Sequence, residues 1–155
     1  MDVYDIVTCR FNNATWDKNV TYRTNHHISC VYASPFEISS SSIDPGIRVF
    51  VLEMNNDTNQ LIGVGIIKNQ PTSDKYYRVQ DRAEYNRFIY QGLHYKSRDQ
   101  LDPPLVEALD SLLFSGKTHS KRGAGLTRFP HSLRYTLRGR GLLDRLRKEF
   151  LPSGI

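Results

Sequence analysis

The hydrophobic and polar positions of this chain are most regular between residues 48 and 68. Arg48-Val49-Phe50-Val51-Leu52-Glu53-Met54 is rich in β-branched and aromatic side chains, and Leu61-Ile62-Gly63-Val64-Gly65-Ile66-Ile67-Lys68 is a second run of the same kind. The intervening Asn55-Asn56-Asp57-Thr58-Asn59 supplies residues that tolerate left-handed backbone, so the segment predicts a β-hairpin. Gly63 and Gly65 fall on one face of the second strand, because side chains alternate along a strand. Two adjacent positions without side chains on one face predict a bend in a barrel or the close approach of another body, either a packed helix or a ligand.

The remaining elements are read in the same way. Residues 3–11 form a first apolar run, a candidate strand, which Asn12-Asn13 breaks, and little periodicity follows until Ile28. Residues 28–33 alternate enough for a strand, which Ser34-Pro35 ends. Residues 39–42 are a serine tract that predicts a loop, and Pro45-Gly46 marks a turn. Residues 76–79 and 85–90 predict further strands, the second placing Asn86, Phe88 and Tyr90 on one face and ending at Gly92. Asp102 then caps a helix with Pro103 at its first position. Leu105, Val106, Leu109, Leu112 and Leu113 follow the spacing of a core-facing stripe, and Gly116 ends the helix. Pro130 opens a last helical segment, in which the pair Leu133 and Leu137 does not align with the stripe Leu142, Leu143, Leu146 and Phe150. Arg138-Gly139-Arg140-Gly141 therefore reads as a break between two short helices. Strands followed by helices define an α+β class in a single domain. Its parts are a polar N-terminal extension (1–27), a mainly β region (28–100) and a basic helical C-terminal part (101–155).

Size and composition narrow the reading. A chain of 155 residues fits one domain and buries a core without covalent staples. No stretch approaches the roughly 20 apolar residues that cross a bilayer, and the acidic start Met1-Asp2-Val3-Tyr4-Asp5 lacks the apolar centre of a secretion signal. The expectation is an intracellular protein with no membrane partner. Cys9 and Cys30 stand alone rather than in a Cys-x-x-Cys pair, so they predict two buried thiols and no zinc site.

Charge adds a direction. The net charge is +5, but residues 115–155 carry ten Lys or Arg against only Asp144 and Glu149. That segment holds eight positive charges in excess, and the remainder is mildly acidic. Clustered cations against an acidic body are the electrostatic footprint of a polyanion binder. The stretch from Gly116 to Arg128 concentrates Lys117, Lys121 and Arg122 with Gly123, Gly125 and His119. Glycines let backbone N–H groups turn toward an anion, and Lys and Arg add charge. It is not a nucleotide-hydrolysing P-loop, because Ser111 stands where that motif needs its first glycine. Tyrosines and arginines interleave from Tyr76 to Arg98, a composition suited to stacking unpaired bases and to a sheet with aromatic cross-strand pairs alike. His26 and His27 are adjacent and diverge on a strand, so they do not share a metal. No catalytic set, metal site or cofactor is predicted.

The runs Val31-Tyr32-Ala33-Ser34-Pro35, residues 50–56, residues 62–69, residues 85–92 and His119-Ser120-Lys121-Arg122-Gly123-Ala124-Gly125 resemble a family of proteins encoded by large DNA viruses, over roughly residues 31–130. The strand–glycine pattern of residues 51–69 is also similar, more loosely, to PUA-like domains of the ASCH and EVE groups. That resemblance implies a small mixed β-barrel with helices after the strands, binding RNA or a modified base in an aromatic-lined pocket. The chain departs from it in having a single tryptophan, Trp16, so a base cage would be built from Tyr and Phe.

Together these readings predict a nucleic-acid-binding protein, for RNA or DNA. Lys117, His119, Lys121, Arg122, Arg128, Arg134 and Arg138 would contact the backbone, and Tyr32, Asn55, Asn86, Phe88 and Tyr90 would line a base pocket. Its place would be the host cytoplasm or a viral factory, with the virion as an alternative. A structural or scaffold protein docking on an acidic viral or host partner, or on packaged genome, is the second reading. An enzyme acting on nucleic acid, with His119 and a carboxylate such as Asp99 or Asp102, is the third.

Overall fold

Strand β1 (Tyr4–Phe11) turns Tyr4 and Ile6 to one side and Val7, Cys9 and Phe11 to the other, and each set joins a separate core. The computed structural model describes residues 4–38, 43–116, 120–128 and 141–150. β1 is flanked on both sides in a five-stranded mixed sheet. It runs parallel to β3 (Arg48–Asn55) and antiparallel to the short β7 (Leu126–Arg128); beyond β3 lie β4 (Gln60–Lys68) and then β6 (His94–Ser97), so the sheet order is β6-β4-β3-β1-β7. The expected hairpin is present as β3 and β4 (Gln60–Lys68), with a bulge at Glu53 and Met54 that places Glu53 opposite Gly63. Asn59 takes the left-handed backbone that the turn chemistry predicted, at φ 54°. β6 (His94–Ser97) closes the far edge.

The apolar run of residues 3–11 forms β1, and the polar stretch after it, expected as part of an N-terminal extension over residues 1–27, is instead helix α1 (Asn13–His26). Hydropathy misses α1 because the residues it buries are Asn19, Tyr22 and Arg23, two of them polar. Asn19 Nδ2 donates to the Val31 carbonyl at 2.8 Å, and Arg23 meets a carboxylate, so burial here depends on partners rather than on an apolar stripe. The local signal was a capping box. The Asn12 side chain accepts from Thr15 N–H at 2.8 Å, while Thr15 Oγ1 accepts from Asn12 N–H at 2.9 Å.

A second, two-stranded antiparallel sheet joins β2 (Cys30–Ser34) to β5 (Phe88–Gly92). The strand expected at residues 76–79 does not form, and the one expected at 85–90 begins only at Phe88, after a 3-10 turn over Ala83–Asn86. The reason is Asn86. Its Oδ1 accepts from Val79 N–H and Gln80 N–H at 3.0 and 2.8 Å, and its Nδ2 donates to the Gln80 carbonyl at 2.8 Å. Such side-chain bonds satisfy the backbone in place of a ladder.

The fold is thus mixed α+β, in three layers. Helices α2 (Pro103–Phe114) and α3 (Gly141–Phe150) bury Leu105, Leu109, Leu113, Leu142, Leu146 and Phe150 against Phe50, Leu52 and Ile66 of the large sheet. The β2–β5 ribbon and α1 cover its other face. Among the described residues the ladders make two sheets and do not close into a barrel. Asp102 sits at the N-cap of α2 as expected but makes no side-chain capping bond; its carboxylate reaches Arg145 of α3 at 3.5 Å, and its N–H donates to Glu149 at 3.1 Å. The expected helical segment from Pro130 through Leu137 lies outside the described residues; α3 itself bears the stripe predicted for it, with Leu143 only half-buried.

Candidate nucleic-acid interface

The bodies that approach Gly63 and Gly65 are neither a helix nor a ligand but two tyrosines. A Cβ on Gly65 would collide with Tyr32 Oη, and one on Gly63 with Tyr95 Oη. Both hydroxyls converge on the fully buried Glu53. Tyr32 donates to its Oε2 at 2.8 Å, Tyr95 to its Oε1 at 2.7 Å, and Arg23 adds an ion pair to Oε2 at 2.6 Å. The Arg23 guanidinium also lies 4.8 Å from the Trp16 ring centre, 5.4 Å from that of Tyr32 and 4.9 Å from that of Tyr95. Burial pulls Arg23 toward neutrality, but the adjacent carboxylate outweighs it and holds the guanidinium charged, above its ordinary value. Burial, reinforced by Glu53, pushes the Tyr32 and Tyr95 hydroxyls up, so both remain donors.

This node removes most of the predicted base pocket. Tyr32 and Tyr90 face each other across the ribbon and are fully buried in the core. Asn86 is spent on its turn. Asn55 donates to Asn13 Oδ1 at 2.9 Å and accepts from Asp57 N–H and Thr58 N–H, which fixes the hairpin turn. Phe88 is half-buried beneath Arg87, with the guanidinium 5.5 Å from its ring centre. The structure does not bring these five residues together around a hollow. Residues that a core already satisfies cannot also face a ligand.

The hollow lies elsewhere, where β1 ends and α1 begins. It measures about 380 Å³, and its lining includes Arg10, Asn12, Thr15, Lys18, Arg82 and Tyr85, with Gln80, Asp81 and Gly125 also in its wall. Such a volume suits a small organic ligand. Arg82 lies 5.4 Å from the Tyr85 ring centre. Two N–H groups of α1's first turn are already in use, since Thr15 N–H meets Asn12 and Asn13 N–H meets Asp57, both at 2.8 Å. Cys9, Phe11, Ala14 and Ala33 make much of the lining apolar, and Arg10, Lys18 and Arg82 add positive charge against the carboxylate of Asp81.

The glycine-rich basic loop borders this hollow because Arg10 holds it. Arg10 Nε donates to the Ser120 carbonyl at 2.5 Å, and its other nitrogens donate to Thr127 Oγ1 at 2.8 Å and Thr8 Oγ1 at 2.9 Å. Burial draws the Arg10 guanidinium below its ordinary value. Asn56 Nδ2 donates to the Lys121 carbonyl at 2.9 Å, and Ser34 Oγ accepts from Leu126 N–H at 3.2 Å. Gly125, at φ 67°, packs so closely on Ser34 and Pro35 that a side chain would not fit. Arg122 is exposed and Lys121 half-buried. Arg128 is exposed and lies 3.7 Å from Asp5. Lys117, His119, Arg134 and Arg138 lie outside the described residues.

Arg10, Lys18, Arg82 and Tyr85 were not singled out as site residues by the sequence. Arg82 and Tyr85 belong to the Tyr–Arg interleaving, which was the available signal; Arg10 and Lys18 gave none. The hollow also holds Cys9, whose thiol burial and the Glu53 charge push up to about 12, so it is no nucleophile near neutral pH. Cys30 is likewise a buried free thiol, as expected. Among the described residues no group of His, Cys, Asp and Glu is arranged to hold a metal, and no helix is long and apolar enough to cross a membrane. No family model, curated protein or solved structure matches the chain.

Proposed function

We propose that this protein binds nucleic acid, seating an unpaired base in the hollow beside Tyr85 and the neighbouring phosphates on Arg82, Lys18 and the basic loop. The observation that carries this reading is that Gly125 of the basic loop lines the same hollow as Arg10, Lys18, Arg82 and Tyr85. An aromatic ring next to cations is the combination that single strands use, because every base has a face to stack and every nucleotide a phosphate. Lys18 pairs with Asp81 at 3.4 Å and Arg82 with Glu84 at 2.5 Å, but all four side chains are exposed, so phosphate competes for these cations easily. A PUA-like arrangement, with the two sheets as parts of one open barrel, and an intracellular place of action go with this reading.

The test is fluorescence polarisation with labelled RNA and DNA single strands from about 50 to 300 mM salt. Affinity should fall linearly on logarithmic axes, with a slope of about −0.7 per phosphate contact. Arg82→Glu and Arg122→Glu should each weaken binding and flatten that slope. Absence of binding at the lowest salt would sink the proposal.

A further inference from the structure

A second hollow continues the first along α1. It measures about 360 Å³ and is lined by Lys18, Tyr22, His26, Arg78, Gln80 and Asp81, with further α1 and loop residues. Lys18, Gln80 and Asp81 belong to both hollows. They form the saddle between them: Lys18 reaches from α1 to Asp81, and Gln80 Nε2 donates to the Thr15 carbonyl at 3.1 Å. From Thr15 to His26 the helix axis advances about 16 Å. The far hollow repeats the chemistry of the near one. It has an exposed cation, Arg78, and the exposed ring of His26, held on its inner face by the buried Tyr22, with ring centres 3.9 Å apart and planes 14° from parallel.

We infer that the two hollows form one track for a single strand of at least two nucleotides, crossing the Lys18–Asp81 saddle from Tyr85 to the exposed ring of His26. This rests on the function proposed above and narrows its substrate to single-stranded RNA or DNA. The strand's phosphates follow Arg82, Lys18 and Arg78, because Asp81 in the saddle repels them from its own side. A duplex does not fit this surface, since its bases stay stacked on each other and leave neither hollow filled. A groove of cations that alternate with rings is instead how single strands are tracked without a fixed sequence.

The experiment compares a mononucleotide, a tetranucleotide and a duplex of matched sequence by calorimetry at low salt, on the intact chain and on Arg78→Glu. Arg78 is exposed, and thermal unfolding confirms that the variant is folded. The tetranucleotide should bind at least about tenfold tighter than the mononucleotide, and Arg78→Glu should remove about that gain while leaving the mononucleotide unaffected. Equal affinity at both lengths, equal losses for both in the variant, or a duplex that binds as tightly would overturn the track while leaving a single-nucleotide site standing. Failure of every ligand to bind would overturn the track and the proposed function together.

Discussion

Arg23 and Glu53 meet at 2.6 Å in the middle of the protein, the carboxylate fully buried and the guanidinium nearly so. They come from α1 and the central strand β3, and their contact fastens the helix layer to the sheet. Breaking a buried pair from one side leaves an uncompensated charge, which costs about 3–5 kcal/mol. Arg23→Met and Glu53→Gln should each lower the urea midpoint accordingly. The double variant should cost clearly less than the two single losses together, since neither charge is then stranded. Additive losses would show that the two residues act independently.

Gly65→Ala should destabilise the fold by about 1–3 kcal/mol, because the added methyl meets Tyr32 Oη and Cys30 Sγ. Adding Tyr32→Phe removes the nearest atom. The combined variant should therefore be more stable than the sum of the single costs, as read by denaturant unfolding. A Gly65→Ala protein as stable as the parent would contradict the close approach.

Alkaline stability should carry the signature of the buried thiols. Burial and Glu53 push Cys9 up to about 12 from an ordinary 9.0, and burial does the same for Cys30. Between these values the unfolded chain has released protons that the fold retains, so stability falls as pH rises. The contribution is fully present below pH 9 and is lost at up to about 1.4 kcal/mol per pH unit for each thiol above it. Unfolding curves at pH 8.5 and 10.5 should diverge less in a Cys9→Ala variant than in the parent. Identical divergence would remove Cys9 from the account.

Asn12→Ala should cost about 1 kcal/mol, since it removes the side-chain acceptor for Thr15 N–H and half of the capping box. Helical circular dichroism and the unfolding midpoint should fall together, and Asn12→Gly should cost less.

Tyr85→Ala should weaken single-strand binding by about 1–3 kcal/mol, roughly fivefold to 150-fold, the usual value of one base stacked on a ring. Tyr85 is half-buried at the rim and belongs to none of the three cores, so stability should change little. Unchanged affinity for every oligonucleotide would place the base elsewhere.

Local pattern along the chain was enough for the elements whose burial is apolar. The β3–β4 hairpin, the β1 and β2 runs, α2 and the stripe of α3 were all legible because their side chains alternate or recur at fixed spacings. The two thiols were legible as buried because neither stands in a Cys-x-x-Cys pair. The α1 helix was not, because Asn19 and Arg23 are buried on the strength of Val31 and Glu53, partners 12 and 30 residues away. Gly63 and Gly65 announced a close approach without naming Tyr95 and Tyr32. The site divides along the same line. Lys121, Arg122 and the loop glycines could be read as a cationic loop from adjacency alone. Long-range packing alone puts Tyr32 and Tyr90 in the core, lets Arg10 pin the loop, and brings Lys18, Arg82 and Tyr85 to its hollow. Spacing along a chain reports which side chains share a face; which distant faces meet depends on strand order and polar partnering, and no local pattern encodes either.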